Sequence, residues 1–138
     1  MPAGVYFAEF QSVSVSYSSL TDIGSLALPA IPLSSGGHLG GQLWIQANFN
    51  VTVAPGAADG IVVEVGIGVD TAGGFARSES FTVFPDTSTA LSLAYVASIA
   101  GYPNSGTGGA HTIYALGIVT SSSGPAVTTD VDVTVFWY

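Results

Sequence analysis

The sequence has no cysteine and no lysine, and Arg77 is its single basic side chain apart from two histidines. The missing cysteines exclude disulfides and thiolate metal sites, so the redox compartment is left open. The near-absence of cations, at a formal net charge of −8, argues against a phosphate-binding surface, because affinity for nucleic acid comes largely from Lys and Arg displacing counterions. Charged residues of both signs make up only 7% of the chain, against roughly a quarter in an ordinary globular protein. A free monomer usually keeps itself soluble with interspersed charges. Here the surface must be built mostly from Ser, Thr, Asn and Gly, which cost little entropy or desolvation when buried between subunits. From Met1-Pro2-Ala3-Gly4 onward there is no basic leader and no long apolar run, so the expectation is neither a signal peptide nor a membrane-spanning helix.

What is present is a 48% hydrophobic chain of 138 residues, in the range of one domain, expected to span 1–138. Nearly every segment between Gly- or Pro-rich breaks alternates with period two, as a strand with one buried face does, and helical periodicity is nowhere evident. Ser12–Tyr17 (SVSVSY) reads as a strand with Val13, Val15 and Tyr17 on one face. Asp22–Leu33, interrupted by Pro29 and Pro32, should lie at an edge or run as a loop. Gln42–Val53 places Leu43, Ile45, Ala47, Phe49, Val51 and Val53 inward, with Trp44 breaking the outer face. Ile61–Val69 alternates in the same way, and the two segments are expected to pair as a hairpin. Further strands are read at Phe75–Phe84, around Leu91–Tyr95, at His111–Val119 and at Val127–Tyr138. His111–Val119 is apolar on both faces, which fits a central strand or one covered by another subunit. About eight strands with turn signals between them predict an all-β, antiparallel β-sandwich of the jelly-roll kind. The segment 1–10, with Val5, Tyr6 and Phe7, is expected to form an arm that packs on a neighbouring subunit.

No residue pattern points to catalysis. No Ser lies in a G-x-S-x-G context, and the Gly-rich stretches 36–41 and 104–109 lack the Lys and the helix of a phosphate cradle. Glu9, Glu64 and Glu79 could serve a glycosidase only if the fold set two of them face to face. Asp130 and Asp132, two apart on one strand face, are read as solvated rather than as ligands of a hard cation, and His38 and His111 match no zinc-ligand spacing. The expectation is therefore a non-enzymatic protein with no cofactor and no metal. The aromatic residues Trp44, Tyr114, Phe136, Trp137 and Tyr138, with Leu116 and Ile118, are assigned to an oligomer interface, where aromatics are enriched; the competing use of such residues is a platform for sugar rings.

The order of elements resembles the trimeric jelly-roll domains of bacteriophage capsid decoration proteins, head fibres and tail-fibre tips, and more distantly the tumour necrosis factor-like fold. The similarity spans Val13–Phe136. It rests on the Ser-rich first strand, QLWIQANFNVTV, VVEVGIGVD with its Asp-Thr-Ala-Gly-Gly turn, a Leu-Ser-Leu strand, a G-x-H-T-I-type strand and the terminal Val-x-Val strand. The absence of Lys departs from that pattern. The resemblance implies a virion structural protein, a capsid decoration or cementing protein or a head-fibre component. Its partners would be copies of itself, as a homotrimer, and the major capsid protein or another virion protein, reached by the arm with Val5, Tyr6 and Phe7, with no nucleic acid and no membrane. The alternative is a carbohydrate-binding or adhesive module, for receptor binding or as part of a bacterial surface coat.

Overall fold

The computed structural model describes residues 4–29, 42–57, 59–103, 110–121 and 123–137. Eight strands make up the described fold: β1 (Gly4–Ser14), β2 (Thr21–Leu28), β3 (Gln42–Val53), β4 (Ile61–Val69), β5 (Arg77–Val83), β6 (Leu91–Pro103), β7 (His111–Val119) and β8 (Val127–Trp137). They form two four-stranded sheets with the orders β1-β8-β3-β6 and β2-β7-β4-β5, and every pairing between strands is antiparallel. This is the expected jelly-roll sandwich.

The period-two pattern is what fills the space between the sheets. From β3, Leu43, Ile45, Ala47, Phe49, Val51 and Val53 all point inward and are buried. They meet Ile61, Val63, Val65 and Ile67 of β4 and Ile113, Ala115 and Val119 of β7, while Val127, Val131, Val133 and Val135 of β8 complete the layer. β-Branched side chains suit this environment because they lose little rotamer freedom on a pleated surface. At one open side of the sandwich Phe81 of β5 stacks on Tyr95 of β6, centroids 3.7 Å apart and planes 10° off parallel, so a strand of each sheet is tied to the other.

Alternation identifies the buried face of a strand but not its neighbour, and three expectations fall for that reason. β3 and β4 are not a hairpin: β3 lies between β8 and β6, while β4 lies between β7 and β5 in the other sheet. Their connection crosses the sandwich, held by hydrogen bonds from Ala54 N–H to the Ala126 carbonyl and from Gly56 N–H to the Asp86 carbonyl. Ser12–Tyr17 is not one strand. Val13 and Ser14 pair with β8, Val15 N–H still reaches the Val127 carbonyl, and Tyr17 then bridges to Val119 of the opposite sheet. The inward face of Val13, Val15 and Tyr17 survives because a crossing segment needs a buried side as much as a strand does.

The third correction concerns the arm. From Gly4 to Phe10 the chain is in continuous register with Trp137 down to Val131, so it is an edge strand of the sandwich and not a free extension. Tyr6, Ala8 and Phe10 are the inward, half-buried residues of this strand, and Tyr6 and Phe10 pack against the core. Of Asp22–Leu33, expected at an edge or in a loop, residues 22–28 belong to the edge strand β2, and residues 30–33 lie outside the described residues.

Candidate assembly face

The outer face of the β1-β8-β3-β6 sheet is ordered by register. Val5, Phe136 and Trp44 form one row across β1, β8 and β3; Phe7, Thr134, Gln46 and Ser98 form the next across all four strands. Then come Glu9, Asp132, Asn48 and Val96, followed by Asp130, Asn50 and Ala94. The large hydrophobic residues left exposed among the described residues are Val5, Phe7, Trp44, Phe84 and Val96. All but Phe84 stand on this face, and the exposures of Val5 (52%), Phe7 (54%) and Trp44 (43%) are concentrated at one end of it. Trp44 leans on Phe136 with centroids 6.2 Å apart and an interplanar angle of 60°, an edge-biased contact that leaves indole surface free.

The other end of the face is acidic. A shallow depression of about 550 Å³ runs across the strands there, lined by Glu9, Asn48, Asn50, Val96, Asp130 and Asp132 among others. Arg77, the chain's one Lys or Arg, is on β5 of the opposite sheet beside Glu79, so this face carries no cation of either type. Asp130 is already engaged: its Oδ1 accepts the Ser12 N–H at 2.7 Å, capping a one-residue bulge at which Ser12 has φ of +53°. Among the described residues no group of three or more His, Cys, Asp or Glu side chains is placed to hold a metal ion.

The residues assigned from sequence to an oligomer interface do not share one surface. Trp44 and Phe136 are together on the outer face just described, joined by Val5 and Phe7, which the sequence had placed on the arm. Tyr6 and Trp137 turn inward and stack on each other at 4.9 Å, packed against the core. Tyr114 and Ile118 are half-buried on the outside of the β2-β7-β4-β5 sheet.

Leu116 corrects the sequence reading outright. It projects from that same outer side yet is fully buried within the single chain. Gly66, paired with Leu116, and Gly68, two residues on, carry no Cβ, and the turn after β4 lies down over Gly68: a Cβ there would meet the Thr71 carbonyl oxygen and would be 2.8 Å from Leu116 Cδ1. The apolar outer side of β7 is thus covered by the chain's own 70–76 turn at this point. Tyr138 and His38 lie outside the described residues.

His111 sits at the start of β7 beside Asp70, whose Oδ2 is 2.8 Å from the ring Nδ1. It meets the Tyr102 ring edge-on at 6.0 Å. Glu64 accepts a hydrogen bond from Ser78 Oγ at 2.6 Å and stands on the opposite sheet from Glu9, while Glu79 lies on β5 beside Arg77.

No protein-family model matches the chain, and no curated protein matches it. Solved structures that match include the structure of infectious bursal disease virus Gx strain, at 10% identity and a TM-score of 0.45, over 96% of this chain and 29% of that one. This chain thus spans less than a third of the length of the chain it matches, and functional assignment rests on its own surface.

Proposed function

We propose that the chain is a virion structural protein, a capsid decoration, cementing or head-fibre component, that assembles through the outer face of its β1-β8-β3-β6 sheet. The observation that carries this reading is the concentration of Val5, Phe7, Trp44 and Phe136 at one end of a face with no Lys or Arg. Scattered apolar side chains are ordinary on a soluble protein; a contiguous group on one face of a sandwich marks a contact. The near-uncharged composition supports the same reading, since Ser, Thr and Asn around the group add little desolvation cost on burial. Eight-stranded jelly rolls recur in viral capsids and in lectins, so the fold admits the role without requiring it.

The resemblance to phage jelly-roll proteins makes the expected assembly a homotrimer. A threefold ring is heterologous: the Trp44 end of one copy packs on a different surface of the next. Light scattering of the full chain from micromolar concentration upward, with Phe7→Ser and Trp44→Ser alongside, tests this. A native mass that is a multiple of three chains, and is reduced in both variants with unchanged circular dichroism, would support the reading; a native monomer at every concentration would overturn it.

A glycan-binding role would use the depression lined by Asn48, Asn50, Glu9 and Asp132. Sugar rings are usually held on an aromatic platform, and Trp44 is four residues along β3 from Asn48, roughly 13 Å at the rise of a strand. The assembly reading is preferred on that separation, and a glycan-dependent rise in melting temperature would reverse the preference.

A further inference from the structure

A sandwich of open sheets has four edge strands, here β1, β6, β2 and β5, and three of them carry devices that discourage pairing with another chain. β1 is broken by the bulge between Phe10 and Val13 and carries Glu9. β2 has a register shift between Asp22 and Gly24 and exposes Asp22. β5 is short and bears Arg77 and Glu79. β6 differs from all three. It is the longest strand, LSLAYVASIAGYP, with no ionisable group other than tyrosine, and Leu91–Ile99 runs in unbroken register with Ile45–Val53. Its only irregularity comes after Ile99, opposite Trp44, where Gly101 has φ of +70°. Among the described residues no strand pairs with its outer edge.

We infer that the edge of β6 is a second interaction surface, at which β6 of another copy of this chain adds in antiparallel register to make one continuous eight-stranded sheet. The occupant follows from charge. Pairing β6 with β1, β2 or β5 would bring Glu9, Asp22, or Arg77 and Glu79 into the new ladder, whereas β6 against β6 brings in no charge, in a chain that otherwise has eight more acidic than basic residues. Antiparallel pairing of a strand with itself is isologous and closes as a two-fold dimer. A register that uses all of Leu91–Ile99 puts Tyr95 opposite Tyr95 and Val96 of one copy opposite Ala94 of the other. The side chains on the outer face of that stretch, Ser92, Ala94, Val96 and Ser98, are small or β-branched and exposed, so nothing bulky stands in the way. The two Trp44-containing faces then lie on the same side of the joined sheet. This contact stands independently of the face contact proposed above, and a surface lattice of subunits requires two such different contacts.

Amide hydrogen exchange of the full-length chain reads this contact directly. In an unpaired edge strand alternate amides are open to water; strand addition protects both sets. The expected result is protection at both sets across Leu91–Ile99 that disappears on dilution. The double variants Ala94→Lys with Val96→Lys, and Ala94→Glu with Val96→Glu, place like charges directly opposite one another. Each should weaken the dimer about tenfold or more while leaving the melting temperature of the dilute chain unchanged. If only the Glu pair weakened association while the Lys pair strengthened it, the effect would be one of net charge and strand pairing would be overturned. Fast exchange at alternate β6 amides at every concentration overturns it as well, whether or not the chain assembles through its Trp44 face. Trp44→Ser leaves the β6 protection in place, which separates failure of this contact from failure of the face contact.

Discussion

The Asp70 carboxylate holds both the ring and the backbone at the start of β7: Oδ2 is 2.8 Å from His111 Nδ1, and Oδ1 accepts the Thr112 N–H at 2.9 Å. Asp70 itself has φ of +61°, and its own N–H donates to the Thr112 carbonyl, so the turn leaving β4 is clamped to the neighbouring strand at three points. Burial alone would push this carboxyl up, but the hydrogen bonds from His111 and from the Thr112 N–H, with the His111 charge, outweigh it and hold the group below the usual carboxylate range.

A depressed carboxyl is a source of stability at neutral pH. The contribution is fully present above the unfolded value of about 3.9 and is lost as pH falls through the folded one. Asp70→Asn is therefore expected to cost about 1 kcal/mol at neutral pH, a modest figure because the carboxylate is half exposed. It should also flatten the acid limb of the stability profile. Urea denaturation at neutral pH and near pH 3 checks both: the gap between native and variant closes on the acid side. Asp86 is likewise held below the usual carboxylate range, by the Ser88 backbone N–H, the Ser88 hydroxyl and the Thr89 N–H, and contributes in the same direction.

Gly66 is required by the close approach of the neighbouring strand β5, and Gly68 by that of the 70–76 turn. A Cβ on Gly66 would run into the Arg77 carbonyl oxygen and the Ser78 backbone, and one on Gly68 would reach the Thr71 carbonyl oxygen and Leu116. Backbone cannot yield as a flexible side chain can, so Gly66→Ala and Gly68→Ala are each expected to destabilise the fold by about 2–3 kcal/mol. Gly68→Ala should in addition lift the 70–76 turn and uncover Leu116. Denaturant midpoints measure the first effect, and increased binding of a hydrophobic dye by the folded variant would report the second.

The two tryptophans should separate cleanly. Trp137 stacks on Tyr6 and packs against the core, so Trp137→Ala is expected to lower the stability of the monomer by about 3 kcal/mol. Trp44 is 43% exposed on the outer face, and Trp44→Ala should leave the dilute chain within about 0.5 kcal/mol of native while weakening association by about 2 kcal/mol. Thermal melts at low concentration against light scattering at high concentration distinguish the two roles.

The Phe81–Tyr95 stack bridges the two sheets where β5 and β6 face each other. Phe81→Ala should cost about 3 kcal/mol and loosen β6 preferentially, visible as faster exchange of its β3-facing amides.

Much of the architecture was legible in the sequence because burial in a sandwich has the same period as the strand. Leu43 to Val53, Ile61 to Ile67 and Val127 to Val135 announce their inner faces residue by residue, and the Pro–Asp after β5 marks its end. Partnership was not legible. Nothing in QLWIQANFNVTV says that its neighbours are β6 and β8 rather than the strand that follows it, since the crossing loop depends on hydrogen bonds to Ala126 and Asp86 far along the chain. The site was half legible. Trp44 and Phe136 stand out as aromatics on faces that should be polar, but Val5 and Phe7 join them only through the pairing of β1 with β8. Leu116 looked like surface because the turn that covers it is local in space and invisible to periodicity; the signal that could have found it is the pair Gly66 and Gly68 on the adjacent strand.

The measurement that bears most directly on the assembly reading is the solution mass of the native chain by light scattering, from micromolar concentration upward, set beside Phe7→Ser and Trp44→Ser. The account predicts an oligomer of the native protein whose mass both substitutions reduce without loss of β-structure. A chain that stays monomeric throughout, or an oligomer indifferent to both substitutions, would contradict it.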